Sequence, residues 1–227
     1  MNIASYIDHT ILKPTTSISE AEQLCSEAVE YGFAAVCVPP PFVKRVKAIL
    51  APTDVKIATV IGFPFGYSAT EAKIAESVLA LVDGADELDM VLNLIALRMK
   101  DWDFLKKEVR LAAEIIHNKN KVFKLIIESG ILSKEEIISC CKELGPLGVD
   151  YMKTSTGYAE KGASVEAVQL MRSHLPAAVK IKASGGIRNF TFAKELVEAG
   201  ANRLGCSVSV AIVKLSLIHI SEPTRPY

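Results

Sequence analysis

Short runs rich in β-branched residues alternate along this chain with longer stretches whose apolar residues recur every three or four positions. The first pattern suits a buried strand, the second a helix with one apolar face. Eight candidate strands stand out: YIDHTIL around residue 8, AAVCV at 34–38, KIATVIGF at 56–63 and ELDMVL at 87–92, then FKLIIES at 123–129, YMKTST at 151–156, AVKIKAS at 178–184 and NRLGC at 202–206. Between them, SISEAEQLCSEAVEYG is predicted to open on a capping box of Ser19 and Glu22 and to close at Gly32. ATEAKIAESVLALVDG closes at Gly84. Two further helices are predicted to open on Asp101 and on Ser133, the latter with Glu136, and NFTFAKELVEAG closes at Gly200. With VSVAIV starting the last helix, the chain holds eight strand–helix units.

Strands that alternate with helices pair in parallel through right-handed crossovers. Eight units in about 210 residues, with no GxGxxG in the first turn, fit a closed (β/α)8 TIM barrel better than a doubly wound sheet. The expectation is one α/β domain over residues 1–214. LSLIHISEPTRPY, from Leu215, loses the pattern. Residues 215–227 are therefore read as a non-native tail replacing the end of the last helix, and nothing functional is drawn from His219 or Tyr227.

Composition narrows the partners. The 26 basic and 26 acidic side chains cancel, and no Lys/Arg run supplies the basic face that nucleic acid or an anionic membrane needs. The amino terminus shows no signal-peptide pattern, and no apolar stretch approaches a membrane span of about 20 residues. A cytoplasmic protein is expected. Cys25, Cys37, Cys140, Cys141 and Cys206 contain no CxxC pair and are expected as buried free thiols. The four histidines lack metal-ligand spacing, so neither metal nor cofactor is expected.

In a barrel, alternate strand residues point inward, and chemistry gathers at the strands' carboxyl ends. Interior positions are normally aliphatic, so Asp8, Asp89, Lys124, Glu128, Lys153, Lys180 and Lys182 need an explanation. Lys153, in YMKTSTG, is either an ion-paired lysine or an amine nucleophile. The second role requires a pKa below the ordinary value of about 10.4, through burial and a neighbouring cation. Lys182, one strand on, is the candidate cation. Asp89 shares a face with Glu87 and serves as counter-ion, proton shuttle or both. Asp8 divides between a structural and a binding role. Lys180 is read as packed or paired, and Lys124 with Glu128 as a supporting charge network. Small polar turns at Ser155-Thr156-Gly157, Ser184-Gly185-Gly186 and Gly205-Cys206-Ser207 follow strands six to eight, where barrels frequently bind phosphate. Ordinary turn chemistry uses the same residues; three such turns beside paired lysines point to an anion.

IDHTILKP, VCVPPPFV, GFPFG, ADELDMV, KLIIESG, YMKTSTG, KASGGIR and RLGCS, in that order over residues 6–213, resemble the deoxyribose-phosphate aldolase family. The joint presence of KTSTG and KASGGIR is the specific part. The resemblance implies reversible cleavage of 2-deoxy-D-ribose 5-phosphate to acetaldehyde and D-glyceraldehyde 3-phosphate. It implies Lys153 as the Schiff-base lysine, Lys182 as the second lysine and Asp89 as the proton-donating acid. Gly185, Gly186 and Ser207 then face the phosphate with Gly157 and Ser184 nearby, and Thr154 and Ser155 hold the substrate hydroxyls. From the turn and strand patterns, Gly205 joins the expected phosphate set and Asp8 is a substrate-binding candidate. Val208 stands where some relatives have a second serine. A sugar phosphate and aldehydes are the expected partners, and a homodimer is a family-level expectation. The alternatives are another Schiff-base sugar-phosphate aldolase or transaldolase, and a non-catalytic barrel that binds phosphorylated metabolites.

Overall fold

The computed structural model describes residues 1–221, with side chains through residue 215. Its eight strands are β1 (Ile7–Thr10), β2 (Ala35–Val38), β3 (Lys56–Ile61), β4 (Glu87–Val91), β5 (Val122–Ile126), β6 (Tyr151–Lys153), β7 (Lys180–Ser184) and β8 (Arg203–Cys206). All neighbours pair in parallel, and β8 returns to β1 through Ile7 opposite Leu204, closing the barrel. The predicted (β/α)8 barrel is the observed fold. The helices among the described residues are α1 (Ile18–Tyr31), α2 (Val43–Leu50), α3 (Thr70–Asp83), α4 (Leu94–Arg98), α5 (Trp102–His117), α6 (Lys134–Leu144), α7 (Val165–His174), α8 (Phe190–Glu198) and α9 (Ser209–Ser221). α9 includes the first residues of the segment read as a non-native tail; residues 222–227 of that segment lie outside the described residues.

Outward strand residues such as Val36, Ile57, Leu88, Phe123, Leu125, Met152, Ile181 and Leu204 are buried against the helix ring. Burial of about 25 cal/mol per Å² of apolar surface makes this layer the main source of stability. All five cysteines are buried and free. Gly32 and Gly84 end α1 and α3 in the left-handed conformation, as expected. The first capping box differs from the prediction. Ser17 and Glu20 form it, two residues earlier than Ser19 and Glu22. Two overlapping S-x-x-E frames compete there, and Glu22 instead accepts from the Arg45 guanidinium on α2. Ser133 and Glu136 cap α6 as predicted. Among the described residues no helix is long and apolar enough to cross a membrane.

Candidate active site

Strand register decides which charges meet. Lys153 is opposite Lys182 on the β6–β7 pair, and Asp89 is opposite Lys124 on β4–β5. Register partners of equal parity project to the same face, about 4.8 Å apart. Asp89 Oδ2 accepts from both Lys153 Nζ at 2.7 Å and Lys182 Nζ at 2.8 Å. The two nitrogens are thus separated by no more than the sum of those distances. Asp89 Oδ1 accepts from Lys124 Nζ at 2.8 Å. Below this, Asp8 Oδ2 faces Lys182 at 2.5 Å, while Arg203 donates to Asp8 Oδ1 at 2.7 Å and reaches Glu87 at 3.2 Å. Lys124 also meets Glu87 at 2.5 Å. Seven long side chains fill the barrel where aliphatics normally sit, each charge facing an opposite one.

The two lysines on Asp89 are shifted in opposite directions. Burial lowers the Lys153 pKa; Asp89 opposes that, Lys182 reinforces it, and the outcome lies below the ordinary lysine range. Burial works against the charge on Lys182 as well, but Asp8 and then Asp89 outweigh it and hold its pKa above that range. Asp8 makes the difference, since it faces Lys182 and not Lys153. Burial also opposes ionisation of Asp89, yet Lys124, Lys153 and Lys182 together hold its carboxyl well below the usual range. At neutral pH the site is one easily deprotonated amine, one firm ammonium and one firm carboxylate.

Lys153 alone of these opens upward. It lies at the floor of a cavity of about 620 Å³ at the carboxyl ends of the strands. Gly157, Ser184, Gly185, Gly186, Gly205 and Ser207, the whole predicted phosphate set, line that cavity. Gly185 has φ +86°, and a β-carbon on it would lie 3.0 Å from Gly162 Cα and 3.4 Å from Gly157 Cα. The sixth and seventh turns thus pack backbone on backbone, which exposes peptide groups to an incoming ligand. Gly205 is small for another reason: a β-carbon there would meet Ser184 Cβ at 2.8 Å and Lys182 Cε at 3.3 Å. α8 and α9 begin just beyond the seventh and eighth turns, with their amino termini at this end.

Not every candidate reaches the cavity wall. Asp8, Thr154 and Ser155 are fully enclosed. Thr154 Oγ1 donates to Ser184 O and accepts from Ser184 N, tying β6 to β7. Ser155 Oγ is buried with no protein partner. Lys180 is exposed at the amino end of β7, its ammonium 5.5 Å from the Tyr151 ring. Glu128 does not join the Lys124 network; it holds Thr156 instead. Sequence reasoning gave no role to Lys13, Tyr158 or Arg188, all in the cavity wall, and took Thr156 only as part of the sixth turn. Arg188 had a signal, as the last residue of KASGGIR. Arg203, the first residue of its strand and of RLGCS, also lay inside a motif but was given no role. No three His, Cys, Asp or Glu side chains converge as a metal site among the described residues.

An enclosed amine of lowered pKa beneath a glycine-rich turn cluster is chemically able to act as a nucleophile. Residues 2–212 match the model of the DeoC/LacD family aldolases. The chain is 47% identical over 215 residues to the deoxyribose-phosphate aldolase of Thermoanaerobacter sp. (strain X514), covering 94% of this chain and 96% of that one. Identity to the enzyme of the same name from Thermococcus gammatolerans is 47% over 216 residues, with the same coverage. A solved tetrameric deoxyribose phosphate aldolase from Aeropyrum pernix matches with a TM-score of 0.89 at 30% identity, over 95% of this chain and 91% of that one. The chain belongs to the DeoC/LacD aldolase family, as its motifs implied, and is accordingly a carbon–carbon lyase.

Proposed function

We propose that this aldolase reversibly cleaves 2-deoxy-D-ribose 5-phosphate to acetaldehyde and D-glyceraldehyde 3-phosphate through a Schiff base on Lys153. The observation that carries this reading is the sharing of Asp89 Oδ2 by Lys153 and Lys182 at the floor of the glycine-walled cavity. The neutral Lys153 amine adds to the C1 carbonyl of the open-chain sugar, and loss of water gives an iminium. Cleavage falls at C2–C3, because only the bond one carbon removed from the iminium carbon delivers its electron pair there. As the C3 hydroxyl loses its proton, glyceraldehyde 3-phosphate departs and a two-carbon enamine stays on Lys153. Protonation at C2, fed by the Asp89–Lys182 pair, regenerates an iminium, and water releases acetaldehyde and the free amine. The iminium supplies the electrophilic activation, so the scheme calls on no metal.

Gly157, Ser184, Gly185, Gly186, Gly205 and Ser207 would receive the phosphate, with Arg188 and Lys13 as nearby cations. Ser155 is enclosed behind the cavity wall and supports it rather than meeting the substrate, while Asp8 and Thr154 act through Lys182 and the sixth turn. Cytoplasmic sugar-phosphate metabolism and assembly of identical subunits belong to the same reading.

The test is borohydride reduction with acetaldehyde, followed by peptide mass mapping. The expected product is an N-ethyl group on Lys153. Adduct on Lys182 alone, or none on folded protein, would falsify the assignment. Acetaldehyde release from deoxyribose 5-phosphate separates this reading from a transaldolase, and any adduct separates it from a barrel that only binds.

A further inference from the structure

One buried acid close to the site has no part in that scheme. Glu128 follows β5 and is only 3% exposed. Its backbone is left-handed, φ +56° and ψ +53°, a conformation that costs a side-chain-bearing residue about 1 kcal/mol or more and persists only where surroundings enforce it. The enforcement is visible on both sides. Ile127 N donates to Lys153 O at 3.1 Å and Ser129 N to Thr154 O at 2.7 Å, so the chain around Glu128 is stitched to the strand that carries Lys153.

The left-handed residue between those bonds turns its carboxylate over the sixth turn. Glu128 Oε2 accepts from Thr156 Oγ1 at 2.5 Å, and both carboxylate oxygens accept from Thr156 N, at 3.2 and 3.3 Å. Thr156 Oγ1 in turn accepts from Tyr158 N at 3.0 Å. Thr156 and Gly157 line the cavity beside Lys153. Hydrogen bonds to an ionised acceptor are about twice as strong as neutral ones, so this turn is clamped rather than merely closed. Burial raises the Glu128 pKa, against the Thr156 bonds and the Lys153 charge that lower it. The carboxylate therefore stays buried against a penalty, held by the Thr156 bonds.

We propose that Glu128 is a positioning residue for phosphate recognition: through Thr156 it holds the Thr156–Gly157 turn in the shape that meets the anion. This rests on the phosphate end assigned above, and its test reads binding separately from turnover. Calorimetry with inorganic phosphate on the full chain should show affinity weakened about tenfold in Glu128→Ala, the scale of a lost charge-assisted bond. Glu128→Gln, which keeps an acceptor, should recover part of the loss. In turnover, the ratio of kcat/KM for deoxyribose 5-phosphate to that for unphosphorylated 2-deoxyribose should fall about tenfold, mostly through KM. Should Glu128→Ala not fold, Thr156→Val, which removes the bridging hydroxyl, and Glu128→Gln carry the same comparison. Unchanged phosphate affinity, equal loss on both substrates, or no phosphate binding by the unaltered chain overturns the proposal. Absence of acetaldehyde release from the unaltered chain counts instead against the aldolase reaction itself.

Discussion

Below Lys153 the barrel is filled by charged side chains held on strands; above it the cavity wall includes a patch of small residues on the sixth, seventh and eighth turns, flanked by larger side chains such as Lys13, Tyr158 and Arg188. The lower layer, Asp8, Glu87, Asp89, Lys124, Lys182 and Arg203, is mutually neutralised and, apart from the partly exposed Arg203, sealed. The upper layer offers Gly157, Gly185, Gly186 and Ser207 to a ligand. Lys153 belongs to both, 2% exposed and hydrogen-bonded downward, yet in the cavity wall. On the proposed reading, the difference teaches that reactivity is set from below and recognition from above. A charged floor tunes an amine only if it is dry and rigid, whereas peptide groups meet an anion only if nothing bulky covers them.

Breaking the floor should have the largest effect. Asp89→Asn removes the one carboxylate shared by three buried ammonium groups, and unpairing buried charge costs about 3 to 5 kcal/mol. Urea unfolding should show that loss, and a value under about 1 kcal/mol would mean the floor is not ionised as drawn. Lys182→Leu should act on reactivity. Rate depends on the neutral fraction of Lys153, so it rises with pH through that pKa. Removing a cation that lowers this pKa moves it upward, and the acid limb of the pH–rate profile should shift to higher pH. Turnover near neutrality should fall about tenfold per unit of that shift. A limb that stays in place would remove Lys182 from the tuning. The smallest effect is expected at the mouth. Gly185→Ala forces a β-carbon into a left-handed site 3.0 Å from Gly162 Cα, at about 1 to 2 kcal/mol. KM for the phosphorylated substrate should rise several-fold with kcat nearly kept; a kcat loss with unchanged KM would place Gly185 in the chemistry instead.

The floor was legible where period-2 arithmetic applied. Asp89, Lys153 and Lys182 each interrupt an aliphatic strand run at inward parity, and burying a charge there demands a reason. Glu128 was misassigned for a physical cause. It shares parity with Lys124, but its left-handed backbone ends that parity and turns its carboxylate to Thr156. Thr154 and Ser155 were expected to hold the substrate, yet closure of β6 against β7 encloses both. Arg203 gave little sign of its role because a charged residue at a strand's first position is usually solvated. Its Asp8 partner is 195 residues away in the chain.

Local chemistry along the chain was enough to determine eight strand–helix units, the closed barrel, the inward charges and the glycine turns, because side-chain alternation and turn preferences are short-range properties. Which charge meets which was decided only by the tertiary structure. Ion pairing between strands depends on register and on barrel closure, so the contrast between a loosened Lys153 and a firm Lys182 arises from where Asp8 arrives when β1 meets β8.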